Sequence, residues 1–371
     1  MERKTVYVGL SGGVDSATSA ALLLEQGYSV VGAFIKITVE GYPCTAGVDR
    51  IDAMRVAAHL KIPFVEVDLS KEYQARVFNE SIREFEKGMT PNPDTLCNRE
   101  IKFGLFYEWA RAQGADFVAT GHYARVASKN PQKGRDSVLS SGDPNSLLGD
   151  FVELLTAADT EKDQTYFLWA VPGSVLEHVL FPIGHLTKPE VRKLAEKFGL
   201  PNAARRDSQG LCFLGPIAVS DMLKQELHPV AGNVLNEAGE VVGTHEGALL
   251  YTMGQRHGFV LAHNGPDALP QYVIGKDLGA NTITVSPNKF PAHATKTKVT
   301  LADTNLIGNV ESGSYMARYR YRQTLIEAEF DATTNMVTLH EPHWVPLGQS
   351  LVLYKQDRCI GGGVITDSTV Y

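Results

Sequence analysis

Residues Gly9-Leu10-Ser11-Gly12-Gly13-Val14-Asp15-Ser16 constrain this chain more than any other stretch. The apolar run Thr5–Val8 before them predicts a short strand, and Ala17–Gln26 after them predicts a helix ended by Gly27. A strand, a tight glycine-containing turn and a helix N-terminus together make an anion site. Backbone N–H groups converge there, and the helix dipole favours negative charge. Gly12 and Gly13 let the main chain approach a phosphate, Ser11 and Ser16 offer hydroxyl donors, and Asp15 is suited to hold Mg²⁺. No Gly-x-x-x-x-Gly-Lys-Ser/Thr occurs, so the P-loop NTPases are excluded. A plain βα connection needs neither two hydroxyls nor an acid.

At 371 residues the chain is long enough for two or three domains. Its hydrophobic fraction of 43% and charged fraction of 21% are those of a globular protein. No apolar run is long enough to cross a bilayer, and Met1-Glu2-Arg3-Lys4 leads straight into the first strand, so a cytoplasmic enzyme without membrane partners is expected. The cysteines at 44, 97, 212 and 359 form no Cys-x-x-Cys pair, which argues against a structural zinc site. A net charge of −7 argues mildly against nucleic acid. The basic residues nevertheless cluster, at Lys188, Arg192, Lys193, Lys197, Arg205 and Arg206, and again where Arg318, Arg320 and Arg322 alternate with Tyr319 and Tyr321. Such clusters permit an RNA surface without requiring one.

Up to about Thr120 strand and helix signals alternate: strands at Ser29–Phe34, Phe64–Val67 and Phe117–Thr120, helices at Arg50–Leu60, Glu72–Lys87 and Ile101–Gln113. That rhythm predicts an α/β fold with a doubly wound parallel sheet and a ligand at the carboxyl ends of its strands. Ser128–Asp150 is polar and rich in Gly, Pro and Ser, as in a surface loop or hairpin tip, and Lys188–Phe198 is again helical. From Gly232 to Asn281 short apolar stretches alternate with glycine turns, which suggests a small β-rich domain. From Thr297 onward short strands at Val299–Ala302, Glu327–Phe330, Met336–His340, Ser350–Tyr354 and Val364–Thr366 predict an antiparallel barrel or sandwich. The expected division is 1–215, 216–290 and 291–371.

A second constellation lies in two distant pieces. In Thr90-Pro91-Asn92-Pro93-Asp94-Thr95-Leu96-Cys97-Asn98, two prolines stiffen the approach to the helix Ile101–Gln113, and Asp94 or Asn98 can cap it. Cys97 would then sit at a helix N-terminus, where the dipole favours a thiolate, although taken alone a half-buried cysteine in a capped turn explains it better. Cys212 follows Arg205 and Arg206 in the glycine-bounded stretch Asp207–Gly215, a setting that would also favour thiolate.

The loop at residues 9–16 resembles the pyrophosphate loop of the ATP-pyrophosphatases, which cleave ATP between its α and β phosphates and adenylate an acceptor. Matches along nearly the whole chain are more specific and resemble the tRNA-specific 2-thiouridylases. They are Gly9–Ser16; Cys44-Thr45-Ala46 with Asp49 and Asp52-Ala53; Asn92–Phe103; Gly121–Arg125; Lys162–Trp169; Asp207–Gly215; Tyr251–Arg256; Arg320–Gln323; Gly348–Ser350; and Gly361–Gly363. The resemblance implies a catalytic domain holding ATP and Mg²⁺ through Gly9–Ser16, with Ile35 against adenine and Gly121 beside the nucleotide. The central domain and a tRNA-contacting barrel would follow it.

The resemblance also implies a chemistry. The wobble uridine of tRNAs for lysine, glutamate and glutamine is adenylated, and Cys212 brings sulfur as a persulfide. Cys97 either frees sulfide or resolves the persulfide, leaving a transient Cys97–Cys212 disulfide, and Asp94 acts as acid or base. Asn92, Pro93, Asp94, His122, Lys162, Asp163, Gln164, Arg320, Tyr321 and Gln349 are the implied tRNA contacts. A cysteine desulfurase or sulfur relay protein would donate the sulfur to an enzyme expected to be monomeric. An iron–sulfur cluster on Cys97, Cys212 and Asp94 ranks below the persulfide route. Two rivals are an ATP-dependent ligase for a small molecule and a non-catalytic RNA-binding protein, and neither gives the cysteines a task. The chain departs from the family at Phe34-Ile35-Lys36-Ile37-Thr38, where the family has methionine followed by Asn-Trp, and in the length of Ser128–Asp150.

Overall fold

The computed structural model describes residues 3–42, 46–128, 152–206, 212–213, 218–262 and 269–371. Five strands form the first sheet: β1 Thr5–Gly9, β2 Ser29–Lys36, β3 Phe64–Asp68, β4 Phe117–Ala119 and β7 Val179–Leu180, in the order β3-β2-β1-β4-β7. Every neighbouring pair is parallel. The order reverses direction between β1 and β4, and such a switch point leaves a crevice at the carboxyl ends of the strands. Gly9–Ser16 leaves β1 there, and Gly121 lies just past β4.

Both faces of the sheet are covered. Val6 and Val8 of β1 pack into one buried cluster with helices α1 (Val14–Glu25) and α2 (Ala46–Leu60). Tyr7, pointing the other way as strand alternation requires, packs on a second cluster with Tyr73, Cys97, Ile101 and Phe106. Helix α1 is buried on nearly all sides, and its Thr18 and Ser19 hydroxyls donate back to the carbonyls of Val14 and Asp15, both at 2.9 Å. Polar side chains thus enter the core without orphaned donors.

The predicted helix Ile101–Gln113 begins eight residues early. Asn92 caps it, its Oδ1 accepting from Thr95 N–H at 3.2 Å, and Pro93 occupies the first helical position. The helix runs as Pro93–Leu96, a wide π-helical stretch Cys97–Leu105, and Phe106–Ala112. Neither Asp94 nor Asn98 is the cap, and Cys97 sits a turn inside. The signal was the Asn-Pro pair, which is an N-cap followed by its preferred successor. The predicted helix at Glu72 likewise begins at Ser70, and that at Arg50 begins at Ala46.

A hairpin of β5 (Arg125–Ser128) and β6 (Val152–Leu155) leaves the first sheet and joins the last one. The segment 129–151 between them, read as a polar loop or hairpin tip, lies outside the described residues. The central sheet contains β8 Gly232–Leu235, β9 Val241–His245, β10 Phe259–Leu261, β11 Tyr272–Asp277 and β12 Thr282–Ser286, in the order β10-β9-β8-β12-β11. Its core is Val234, Ala248, Tyr251, Val273, Ile283 and Val285.

The last unit comprises β13 Thr297–Leu306, β14 Gly313–Arg318, β15 Ile326–Asp331, β16 Met336–Leu339, β17 Ser350–Lys355 and β18 Arg358–Val370. Because β13 pairs antiparallel with both β16 and β18, the order β13-β16-β15-β14-β17-β18 closes on itself as a barrel. β6 continues that sheet, with Leu154 opposite Cys359. The predicted last strand, Val364–Thr366, is thirteen residues long. Strand alternation does not govern Arg320 and Tyr321, since β14 ends at Arg318. They lie in a turn that Gln323 holds, its Oε1 accepting from the N–H groups of Tyr319 and Arg320 at 3.0 and 3.1 Å.

Candidate functional site

Leu10 N–H donates to Ala33 O on β2 at 2.8 Å, so the loop begins as an extension of the sheet. Gly12 then takes a φ of 76°, in the left-handed region, and a Cβ there would lie 2.6 Å from Asp49 O. Only glycine meets both conditions. Ser16 Oγ accepts from Ser11 N–H and donates to Gly13 O, both at 3.2 Å. Gly13 caps α1 with backbone alone, which leaves the first N–H groups of the helix unclaimed by a capping side chain. A phosphate fits such an end.

The loop is held from beneath by groups that the sequence scattered. Asn202 Nδ2 and Arg205 Nη1 donate to Gly12 O at 2.7 and 3.2 Å. Arg205 also pairs with Asp49 and, at 2.8 Å, with Asp52. Arg205 is therefore committed to α2 and the loop, and the expectation that it favours a Cys212 thiolate is corrected. Its neighbour Arg206 is exposed. Asp15 is engaged by the Lys188 ammonium at 2.7 and 2.9 Å and by the Tyr123 hydroxyl at 3.0 Å. Two carboxylate oxygens offer about four lone-pair sites, so Asp15 retains capacity for Mg²⁺ arriving with a nucleotide. Among the described residues no group of three or more His, Cys, Asp or Glu side chains is arranged to hold a metal.

Gly121 presses its backbone onto the loop, since a Cβ there would lie 2.6 Å from Ser16 N and 2.8 Å from Asp15 C. Both are main-chain atoms, so the clash has no cheap relief. Gly121→Ala is expected to raise the KM for ATP by about tenfold or more and to lower stability by about 1–3 kcal/mol. Steady-state kinetics and urea unfolding check it; unchanged values would detach Gly121 from the loop's function. Ile35 lies on β2 within the same buried cluster as Tyr73 and Cys97.

The two cysteines, far apart in sequence, meet. Cys97 belongs to a buried cluster against which Cys212 packs, and both are free thiols. Cys97 is fully buried. Cys212 is fixed through its backbone: its N–H donates to Asp94 Oδ1 at 3.1 Å, and its carbonyl accepts from Tyr73 OH at 2.8 Å. The hydrogen bond with Cys97, burial and the nearby Asp94 push the Cys212 thiol well above its ordinary range, and Lys102 opposes them.

Lys102 is the residue that sequence reasoning passed over. Its Nζ lies 3.5 Å from Cys212 Sγ and 3.4 Å from His122 Nε2. Burial pulls its ammonium down, but Cys212, Cys97 and Asp94 outweigh burial and raise it to about 12. His122 is held neutral by burial and by Lys102, its pKa lying well below the ordinary range. An ammonium can only donate, so Nε2 accepts; Nδ1 then carries the proton and donates to Thr120 Oγ1 at 2.7 Å. Gly121 and His122, adjacent in sequence, thus connect the Gly9–Ser16 loop to the cysteine pair.

The residues expected to touch RNA divide into two groups. Asn92, Arg320 and Gln349 gather: Asn92 Nδ2 donates to Gln349 Oε1 at 3.2 Å. Arg320 and Gln349 border a groove of about 640 Å³ with Thr90, Arg256, His257 and Lys289. Pro93 and Asp94 continue from Asn92 into the helix bearing Cys97. Tyr321 packs on Phe167 with ring centroids 4.7 Å apart.

His122 and Asp163 are internal. Asp163 is buried, pairs with Arg318, and accepts from Thr165 Oγ1 and Ala157 N–H at 3.0 and 3.1 Å. Its carboxylate has its lone pairs engaged inside the protein. Gln164 Oε1 accepts from Tyr123 N–H at 2.9 Å, and Lys162 is half-buried.

Comparison with known proteins matches three family models along the chain. They are a tRNA methyl transferase HUP domain over residues 4–216, a tRNA methyl transferase PRC-barrel domain over 220–287, and an aminomethyltransferase beta-barrel domain over 296–365. A tRNA-specific 2-thiouridylase of Nitrosomonas eutropha is 40% identical, covering 99% of this chain and 100% of its own. One from Lysinibacillus sphaericus is 40% identical over 98% of this chain and 94% of its own. Among solved structures, a 4-thiouridine synthetase–RNA complex with bound ATP aligns at 16% identity and a TM-score of 0.34, over 60% of this chain and 50% of that one.

Proposed function

This chain belongs to the tRNA-specific 2-thiouridylase family, and from that premise we propose that it replaces the 2-oxygen of the wobble uridine of tRNA by sulfur, driven by ATP cleavage. The observation that carries the reading is the contact between Cys97 and Cys212, linked through Lys102, His122 and Gly121 to an anion-binding loop. The family-model descriptions speak of methyl transfer, whereas the relatives are named for sulfur transfer. Paired thiols have a task only in the second.

The roles proposed for the residues are these. Gly9–Ser16 would hold the β and γ phosphates of ATP and Ile35 would face its adenine, and Mg²⁺ with Asp15 as a protein ligand would offset the phosphate charge. The uridine 2-oxygen attacks the α-phosphorus, and pyrophosphate leaves into the loop, where N–H groups and the α1 dipole already face it. A persulfide on Cys212 attacks the adenylated carbon through its terminal sulfur, and AMP departs with the oxygen. The Cys97 thiolate then attacks Cys212 Sγ, so the sulfur–sulfur bond breaks toward the base and a Cys97–Cys212 disulfide forms. A dithiol reductant restores both thiols. Asp94, on the helix of Cys97 and bonded to the backbone of Cys212, moves the protons.

RNA approaches along the groove lined by Arg256, Lys289, Arg320 and Gln349; Asn92 bonds to Gln349, and Pro93 and Asp94 follow it into the helix of Cys97. An anticodon-loop base costs less to extrude than a paired one. A persulfide-bearing donor, either a cysteine desulfurase or a relay protein, charges Cys212. The tRNAs for lysine, glutamate and glutamine are the acceptors, and the enzyme acts as a monomer in the cytoplasm. Among the described residues no helix is long and apolar enough to cross a membrane.

The test incubates the protein with ATP, Mg²⁺, a persulfide source and unmodified glutamate tRNA, and looks for 2-thiouridine by mass spectrometry. Thiolation with one pyrophosphate per modified base is expected. ATP cleavage without a thiolated base would overturn the reading.

A further inference from the structure

We infer that Lys102 is the counter-ion of the sulfur centre, holding the negative charge that Cys212 must carry to accept and deliver sulfur, with neutral His122 fixing its ammonium in place. The inference deepens the sulfur-carrier reading of Cys212 and rests on it. Its basis is geometric: Lys102 Nζ is 3.5 Å from Cys212 Sγ, and its other near partner is an imidazole nitrogen at 3.4 Å that can only accept.

The surroundings make a cation necessary. Cys212 faces Cys97 and Asp94 from the helix beginning at Pro93, and Tyr73 from the helix Ser70–Tyr73. The Asp94 carboxylate, the Cys97 side chain and burial all resist ionisation of that sulfur. Asp94 and Cys97 disfavour the anion, and Lys102 is the cation that favours it. His122 cannot substitute, because burial and Lys102 itself keep it uncharged.

The backbone explains how Lys102 gets there. Cys97 and Lys102 bracket a π-helical turn, with hydrogen bonds from each residue to the fifth one along, as in Phe106 N–H to Ile101 O. In an α-helix the fifth residue points well away from the first. The wider turn brings Lys102 round toward the sulfurs.

Two steps use the charge. In loading, the Cys212 thiolate attacks the outer sulfur of the donor's persulfide; a new sulfur–sulfur bond forms, the donor's bond breaks, and its thiolate leaves. In delivery, the terminal persulfide sulfur carries the negative charge to the adenylated carbon. Lys102 donates to sulfur in both steps and need not lose a proton in either.

The experiment follows iodoacetamide alkylation of Cys212 in the full-length protein against pH, with the site read by peptide mass spectrometry. Lys102→Met is expected to raise the midpoint by about one unit or more, so that alkylation at pH 7 slows about tenfold. Lys102→Arg, which keeps the charge, is expected to stay near the wild-type midpoint. Lys102→Gln supplies the same comparison if the methionine variant fails to fold. An unshifted midpoint in a neutral variant with wild-type melting temperature would overturn the inference, as would an equal shift in the arginine variant. Alkylation reports the charge beside Cys212 whatever acceptor the enzyme serves. A missing shift therefore counts against Lys102 alone, and absent tRNA thiolation by the wild type counts against the function.

Discussion

Cys212→Ser is expected to abolish thiolation supplied by a persulfide donor, lowering the rate by about 10³-fold or more, while ATP binding stays within a few-fold of wild type. A serine hydroxyl cannot carry a sulfane sulfur, and the backbone contacts of residue 212 to Asp94 and Tyr73 do not involve the side chain. The site is thus preserved and only the carrier is lost. Cys97→Ser should behave differently, since it removes the thiol that breaks the persulfide bond. It should still load Cys212 with sulfur but fail to turn over, leaving the tRNA joined to Cys212 through the uncleaved sulfur–sulfur bond once ATP and tRNA are added. Intact-protein mass spectrometry after donor treatment, beside product 2-thiouridine, separates the two. Wild-type rates for Cys212→Ser under persulfide supply would sink the proposed chemistry.

The second large effect is on stability. Arg318→Met is expected to cost about 3–5 kcal/mol, because it leaves the Asp163 carboxylate buried without its cation. The side chains of this pair are 8% and 4% exposed, and Arg318 also donates to Tyr354 OH at 2.9 Å. They join the stretch before the short helix Thr165–Leu168 to β14 of the barrel, so the loss should loosen the contact between first and last units. Removing both charges as Asp163→Asn with Arg318→Met should recover part of the loss, since the unpaired charge, more than the missing attraction, is what destabilises. Urea unfolding of the two single variants and the double one measures the coupling. A cost below about 1 kcal/mol for Arg318→Met would show that water reaches Asp163. If Asp163 were instead an RNA contact, Asp163→Asn would weaken tRNA binding and leave the unfolding midpoint in place.

The order of strands and helices in the first unit was legible because its strands are apolar and its helices periodic. The closing barrel was legible as short alternating runs. What failed was local in one place and long-range in another. The helix at residue 93 was started late because Asn92-Pro93 read as an approach and not as a cap with its first residue. The Arg-Tyr alternation around Arg320 and Tyr321 has the period of a strand, whereas Gln323 draws the backbone into a turn. The β5–β6 hairpin could not be assigned to the barrel's sheet, because its partner β18 lies some two hundred residues further on. Pairing between distant strands leaves no local signal.

The sequence by itself determined the glycine-bearing loop that is the candidate anion site, since Gly12, Gly13, Ser11, Ser16 and the start of α1 are contiguous and rely on their own backbone. It also supplied both thiols and Asp94, as residue types suited to sulfur chemistry. Only the tertiary structure decided that Cys97 and Cys212 touch, that Arg205 holds the loop from beneath through Asp49 and Asp52, and that Asp163 is internal. It alone placed Lys102 beside the sulfur, through a helical turn wider than the period a sequence is read with. Local backbone preference is encoded residue by residue, whereas a charge placed beside a buried sulfur depends on chain closure over long separations.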